Sequence, residues 1–172
     1  MFSKLHSMGV WGISAYEIEI ETNLSAGLPA FDVVGLPDAS VRESRDRVRS
    51  AMRNSGYDFP VSRITVNLAP ADIKKEGSVY DLPILVGIMA ASEMINCNLD
   101  DAVFAGELSL SATVRPIKGL LSMTIAAKKC GYKRMFVPAE IAQQASIVKG
   151  IDVYPVSSVN MLIAHLNGAA QI

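Results

Sequence analysis

An α+β fold, with helices packed on a mixed sheet, is what this sequence predicts. Segments of strand and helix character intermix without strict alternation along the chain. The first clear strands, Tyr16–Thr22 and Leu28–Val34, lie close enough in sequence to pair as a hairpin. Asp81–Met94 is apolar nearly all round, which marks a helix inside a core rather than on its surface.

Each element has a local reason. Trp11, beside Gly9 and Gly12, reads as a packing anchor, with a stacking platform as the alternative. Tyr16–Thr22 (YEIEIET) alternates apolar and acidic residues, as a strand with one wet face does. Asn23–Gly27 turns, and the run ending in Phe31–Val34 is stopped by Gly35. Pro37 breaks the strand, and Asp38 can cap a helix running to about Asn54, beyond which Gly56 can turn left-handed. Arg63–Leu68 alternates as a half-buried strand, and Ala69–Ser78 is loop. After the buried helix, Cys97–Asp101 is a polar connector. Val103–Leu110 and Thr113–Ile117 then read as strands joined around Ser111–Ala112. Gly119–Lys129 has helical spacing and ends at Gly131, and Arg134–Val137 is a strand stopped by Pro138. Ala139–Val148 reads as helix and Ile151–Tyr154 as a last strand. Ser157 caps a helix with Met161, Leu162 and Leu166 on one face.

At 172 residues, half of them hydrophobic and 19% charged, the chain is expected to be a single folded domain, 1–172. A net charge of −1 supplies no global attraction to nucleic acid or membrane, so such binding would need a local patch. Cys97 and Cys130 stand in no metal or redox spacing, as for reduced thiols in a cytoplasmic protein. There is no signal-peptide pattern. The longest apolar run, Leu82–Ser92, contains Pro83 and is too short to span a bilayer.

Motif searches narrow the chemistry. The sequence contains no G-x-x-x-x-G-K-[ST], no G-x-G-x-x-G, no H-E-x-x-H and no Cys/His cluster. No catalytic residue, metal site or cofactor is therefore expected, and His6 and His165 stand alone. Charge concentrates on the helix from Asp38, which carries Arg42, Arg45, Arg47, Arg49 and Arg53 against Asp38, Glu43 and Asp46. Asp38–Arg42, Arg42–Asp46 and Glu43–Arg47 are spaced as i,i+4 pairs on a wet face. Arg45, Arg49 and Arg53 have no acid four residues behind them and line one stripe. That stripe can hold phosphates or grip an acidic face of a neighbouring domain or subunit. Lys74 and Lys75 add a second cationic spot in the loop. No aromatic residue interleaves with these cations in sequence, which argues against a single-strand stacking groove.

The runs GLPDASVRESRDRVRSAMRNSGYDFP and RITVNLAPADIKKEGSVYDLPILVGI, with the start MFSKLHSMGVWG, carry a resemblance across essentially the whole chain. It resembles the amino-terminal domain of the magnesium-chelatase-like AAA+ ATPases, the ComM/YifB family. The resemblance implies the ribosomal-protein-S5-domain-2-like fold shared with the Lon protease domain. It also implies an ATPase module following this domain near the chain's end, needing ATP and Mg2+. The implied parent is a cytoplasmic homo-hexameric motor acting on DNA in natural transformation and branch migration. Its own AAA+ module, sister subunits and DNA are then the implied partners, with no membrane. Aligned on Lys75–Glu76–Gly77, Val79 stands where a Lon-type protease has its serine. Aligned through Arg115–Leu121, Leu121 stands where it has its lysine. The implied role is a non-catalytic accessory domain, with Val79 and Leu121 lying close together on one side of the mixed sheet. The alternatives are a degenerate hydrolase using Ser78 with Lys118 or Lys75, or a purely assembly or regulatory module. The magnesium-chelatase name suggests metal insertion into a porphyrin, but no ligand cluster supports it.

Overall fold

The computed structural model describes every residue from Met1 to Ile172. Strands β1 (Phe2–Trp11) and β2 (Ser14–Ser25) open the chain, followed by β3 (Ala30–Val34) and helix α1 (Ala39–Asn54). Then come β4 (Arg63–Ala69), α2 (Asp81–Ala91), β5 (Ala102–Phe104), β6 (Glu107–Leu108) and β7 (Val114–Arg115). The chain finishes with α3 (Leu120–Lys129), β8 (Arg134–Pro138), a 3-10 turn leading into α4 (Ala142–Ser146), β9 (Asp152–Val156) and α5 (Val159–Leu166).

Seven strands form one mixed sheet in the order β3-β4-β2-β1-β5-β8-β9, and β6-β7 make a separate ribbon. The β1–β2 and β2–β4 pairs are antiparallel, whereas β3–β4, β1–β5, β5–β8 and β8–β9 are parallel. This is the expected α+β class. α2 crosses β1 and β2 so closely that a side chain at Gly87 would collide with the Thr22 hydroxyl. α3 lies against the tip of the same hairpin, where Gly119 packs on Val10. No helix is long and apolar enough to cross a membrane.

The expected pairing of Tyr16–Thr22 with Leu28–Val34 does not form. β4 lies between them, because β3 continues into α1 and the crossover returns the chain parallel to β3. The hairpin partner of β2 is β1, a ten-residue strand whose polar residues obscure its period. Ser7, for instance, is fully buried and donates through Oγ to the Phe104 carbonyl at 2.7 Å. Trp11 is no packing anchor, being 72% exposed at the hairpin tip. The strand expected over Val103–Leu110 breaks after Phe104, since the Gly106 backbone is diverted to Val79 and Leu82. Ser158, not Ser157, caps α5 by accepting from the Met161 N–H.

One carboxylate joins three of these elements. Asp81, at the start of α2, is fully buried. It accepts from Arg47 Nε at 2.6 Å and Nη2 at 3.0 Å, from Ser44 Oγ at 2.5 Å, and from the Leu108 N–H at 3.0 Å. Burial pushes this carboxyl upward, and Arg47, Ser44 and the Leu108 N–H oppose that shift. Replacing Asp81 by Ala leaves a guanidinium poorly partnered beneath α1. The substitution should cost roughly 3–5 kcal/mol in urea unfolding. A loss below about 1 kcal/mol would show that the network is dispensable.

Candidate functional site

Three helices start at the end of the sheet that carries the β1–β2 tip, and a cleft of about 570 Å3 lies among them. α1 contributes Asp38 and Ser40, the loop before α2 contributes Glu76–Val79, and the approach to α3 contributes Pro116–Lys118. Asp38 is fixed there by its capping role: Oδ1 accepts from the Val41 N–H at 2.8 Å and Oδ2 from the Gly77 N–H at 3.3 Å.

Val79 lines this cleft and is 7% exposed, but Leu121 does not line it. Gly119 is left-handed at φ +81° and sends the chain into α3 with Leu120 buried and Leu121 outward. The cleft that Val79 lines therefore meets α3 through Met123 and not through Leu121. Ser78 and Lys118 do line it together, yet no hydrogen bond joins them. A serine nucleophile needs a base hydrogen-bonded to it to take its proton, and the Ser78 hydroxyl makes no such bond in this cleft.

Lys75 is fully buried rather than a surface cation. Its Nζ donates to the Gly35 carbonyl at 2.8 Å and to the Pro70 carbonyl, tying the β3–α1 turn to the loop before α2. Burial lowers the affinity of this ammonium for its proton. It is unavailable either as an external contact or as a base for Ser78. Lys74 points outward and pairs with Glu76 at 3.7 Å.

The arginine face of α1 is more structured than its spacing suggests. Asp38–Arg42 and Arg42–Asp46 pairs do not form. Arg47 meets Glu43 at 3.5 Å but is chiefly committed inward to Asp81. Arg45 donates to the Arg42 carbonyl at 3.1 Å and to the Phe31 carbonyl at 3.3 Å. Arg49 meets Asp46 at 3.5 Å, and its guanidinium lies 5.9 Å from the Phe31 ring centre and 5.4 Å from that of Phe59. Arg53 lies 5.9 Å from the Phe59 ring centre. The expected lack of aromatics among these cations is thus corrected: β3 brings Phe31, and the segment after α1 brings Phe59, with ring centres 5.7 Å apart. These two phenylalanines and the two arginines line a cleft of about 300 Å3 with Pro29, Pro60 and Val61, and no acid lines it. Phe59 was not singled out from sequence. The YDFP run after Gly56 gives no sign that the chain folds back onto α1.

Comparison with known proteins places these features. Residues 20–141 match the sequence family described as subunit ChlI of Mg-chelatase. The chain is 42% identical over 149 residues to the uncharacterized protein YifB of Escherichia coli, covering 86% of this chain and 29% of that protein. It is 38% identical over 169 residues to the competence protein ComM of Haemophilus influenzae, covering 98% of this chain and 33% of that protein. A more distant likeness, 27% over 166 residues, links it to Lon protease 2 of Bacillus subtilis, covering 86% of this chain and 29% of that one. The chain spans about a third of the length of the curated relatives it matches.

Two neighbouring lysines should separate experimentally. Lys75→Met leaves buried carbonyls unpaired and should cost about 1–3 kcal/mol, with faster amide exchange across residues 70–78. Lys74→Met should change neither stability nor exchange measurably. Equal effects would contradict the buried anchor.

Proposed function

The chain belongs to the magnesium-chelatase-like ComM/YifB family, and from that premise we propose that it is a single, non-catalytic accessory domain of an AAA+ ATPase. Its parent is an ATP-driven homo-hexameric motor acting on DNA in the cytoplasm, in natural transformation and branch migration. ATP and Mg2+ belong to the ATPase module outside this chain. In this chain no three His, Cys, Asp or Glu side chains are grouped around a common point. This domain's part is to bind and orient DNA, through the outer face of α1.

The observation that carries this reading is the contrast between the two clefts. The Lon-like cleft presents Val79 and lacks a serine hydrogen-bonded to a base. The α1 face sets Arg49 and Arg53 over Phe31 and Phe59, with Arg45 beside them and no acid in the cleft wall. Guanidinium groups meet phosphates, and aromatic rings stack with bases, so the combination suits DNA containing unpaired nucleotides. The same stripe would grip a sister subunit if that subunit presented an acidic face.

The test is the triple change Arg45→Gln, Arg49→Gln, Arg53→Gln in the full-length protein. Gln keeps the helix propensity. Lost cation–π contacts and one exposed ion pair should cost on the order of 1–2 kcal/mol of stability in total. Affinity for single-stranded and branched DNA should fall about tenfold or more at moderate salt, with a salt-dependence slope shallower by roughly 2–3. Weakened hexamer assembly with unchanged DNA affinity would assign the face to subunit contact instead. A protein that assembles and binds DNA like the parent would refute both roles.

A further inference from the structure

The two rings beneath the α1 arginines are held differently, and the difference leaves one of them for a ligand. Phe31 is only 6% exposed, its backbone pairs in register with Ile64, and its carbonyl accepts from Arg45 Nη1 at 3.3 Å. Phe59 is half-buried and packs against the edge of the core. With 5.7 Å between ring centres and 33° between planes, Phe31 backs Phe59. Phe59 is the ring that can meet something from outside.

The arginines do not close that ring off. Arg49 stands 5.4 Å and Arg53 5.9 Å from the Phe59 ring centre, towards the outer limit of about 6 Å for a cation–π contact. The Asp46 carboxylate that meets Arg49 at 3.5 Å is 84% exposed, so water already screens the pair and a phosphate can replace it. A flat group entering over Phe59 displaces weak contacts only. The guanidinium groups it moves aside stay next to it, placed for an attached anion.

A planar, stackable group joined to an anion is a nucleotide. A base within a duplex is already stacked on both faces, so it has none to offer Phe59 until it leaves the helix. The cleft holds about 300 Å3, at the small end for ligand sites, and has a single available ring, so it suits one base. Its walls offer little to read that base's edge. Pro29 and Pro60 have no N–H, and the Ala30 N–H is committed to the Ser62 carbonyl at 3.3 Å. An acidic peptide would match the cations but leave the ring face unused. We propose that the cleft takes one unpaired nucleobase stacked on Phe59, with Arg49 and Arg53 on its flanking phosphates. Phe59 is then the residue that separates unpaired from paired DNA, with little regard to which base is presented. This inference rests on the α1 face being the DNA-binding face and adds the residue that selects the unpaired base.

Three probes test it: a hairpin duplex with one bulged thymine, the same duplex with an abasic residue in the bulge, and the fully paired duplex. Each is titrated with the chain at low salt and followed by fluorescence anisotropy. The chain should bind the bulged thymine about tenfold or more tighter than either other probe. A bulged adenine should bind within about threefold of thymine, since every base has a face to stack. Phe59→Leu should abolish the preference while keeping the affinity for paired duplex, and Phe59→Tyr should preserve it. The comparison of base with abasic bulge is made on one protein, so a loss of stability in Phe59→Leu does not obscure it. Equal affinity for base and abasic bulges overturns the proposal, as does a preference that survives Phe59→Leu. If the triple arginine variant then still weakens every probe, the α1 face binds DNA without a base site. If that variant leaves every affinity unchanged, the reading of the face fails as well. Saturable binding of an oligoglutamate peptide, with no binding of the three DNA probes, overturns both in favour of an acidic protein partner.

Discussion

The Asp81 carboxylate is the constraint on which the rest of the arrangement depends. It sits without solvent exposure at the start of the most buried helix, and its four hydrogen bonds come from α1 and β6. An apolar side chain there would bury equally well but would fix no direction. The bidentate Arg47 contact sets the rotation of α1 about its own axis. With Arg47 turned inward, Arg45, Arg49 and Arg53 occupy the outer side of the same helix. The Leu108 contact holds the β6–β7 ribbon against α2, and the segment that follows the ribbon forms one wall of the Lon-like cleft. One carboxylate therefore positions both surfaces on which a functional reading rests.

Cations in this protein divide into those that hold the fold and those that face outward, and sequence neighbours fall on opposite sides of the division. Lys75 is buried on backbone carbonyls while Lys74 is exposed beside Glu76. Arg47 is structural while Arg49, one half-turn on, lies over aromatic rings. The cleft at the helix starts follows the same economy of chemistry. Asp38 is committed there to capping α1, and Val79 lines the wall with a side chain that offers no polar group.

Where local pattern and tertiary placement agree, the sequence was legible. α1 was read from its Asp38 cap and apolar stripe, and α2 from an apolar surface on every side. β4 declared itself by alternation, burying Ile64, Val66 and Leu68. β1 was missed because a buried serine satisfied by a distant carbonyl looks like a solvent residue. The β2–β3 pairing was misread because proximity along the chain favours a hairpin, while the crossover through α1 places β4 between them. The arginine stripe was visible as spacing, but its aromatic floor was not. Phe31 and Phe59 are separated by the whole of α1 and meet only after β3 joins the sheet. Leu121 followed the family's alignment, yet the left-handed Gly119 decides which α3 side chains point inward.

The account's central claim is that the working surface lies on α1 and not in the Lon-like cleft. Amide chemical-shift mapping of the chain, titrated with a short single-stranded oligonucleotide at low salt, tests this most directly. The account predicts saturable shifts confined to residues 45–53 and 59–62, with the amides of Gly77, Ser78, Val79 and Lys118 unmoved. Shifts centred on those cleft amides, or none anywhere on the α1 face, would contradict it.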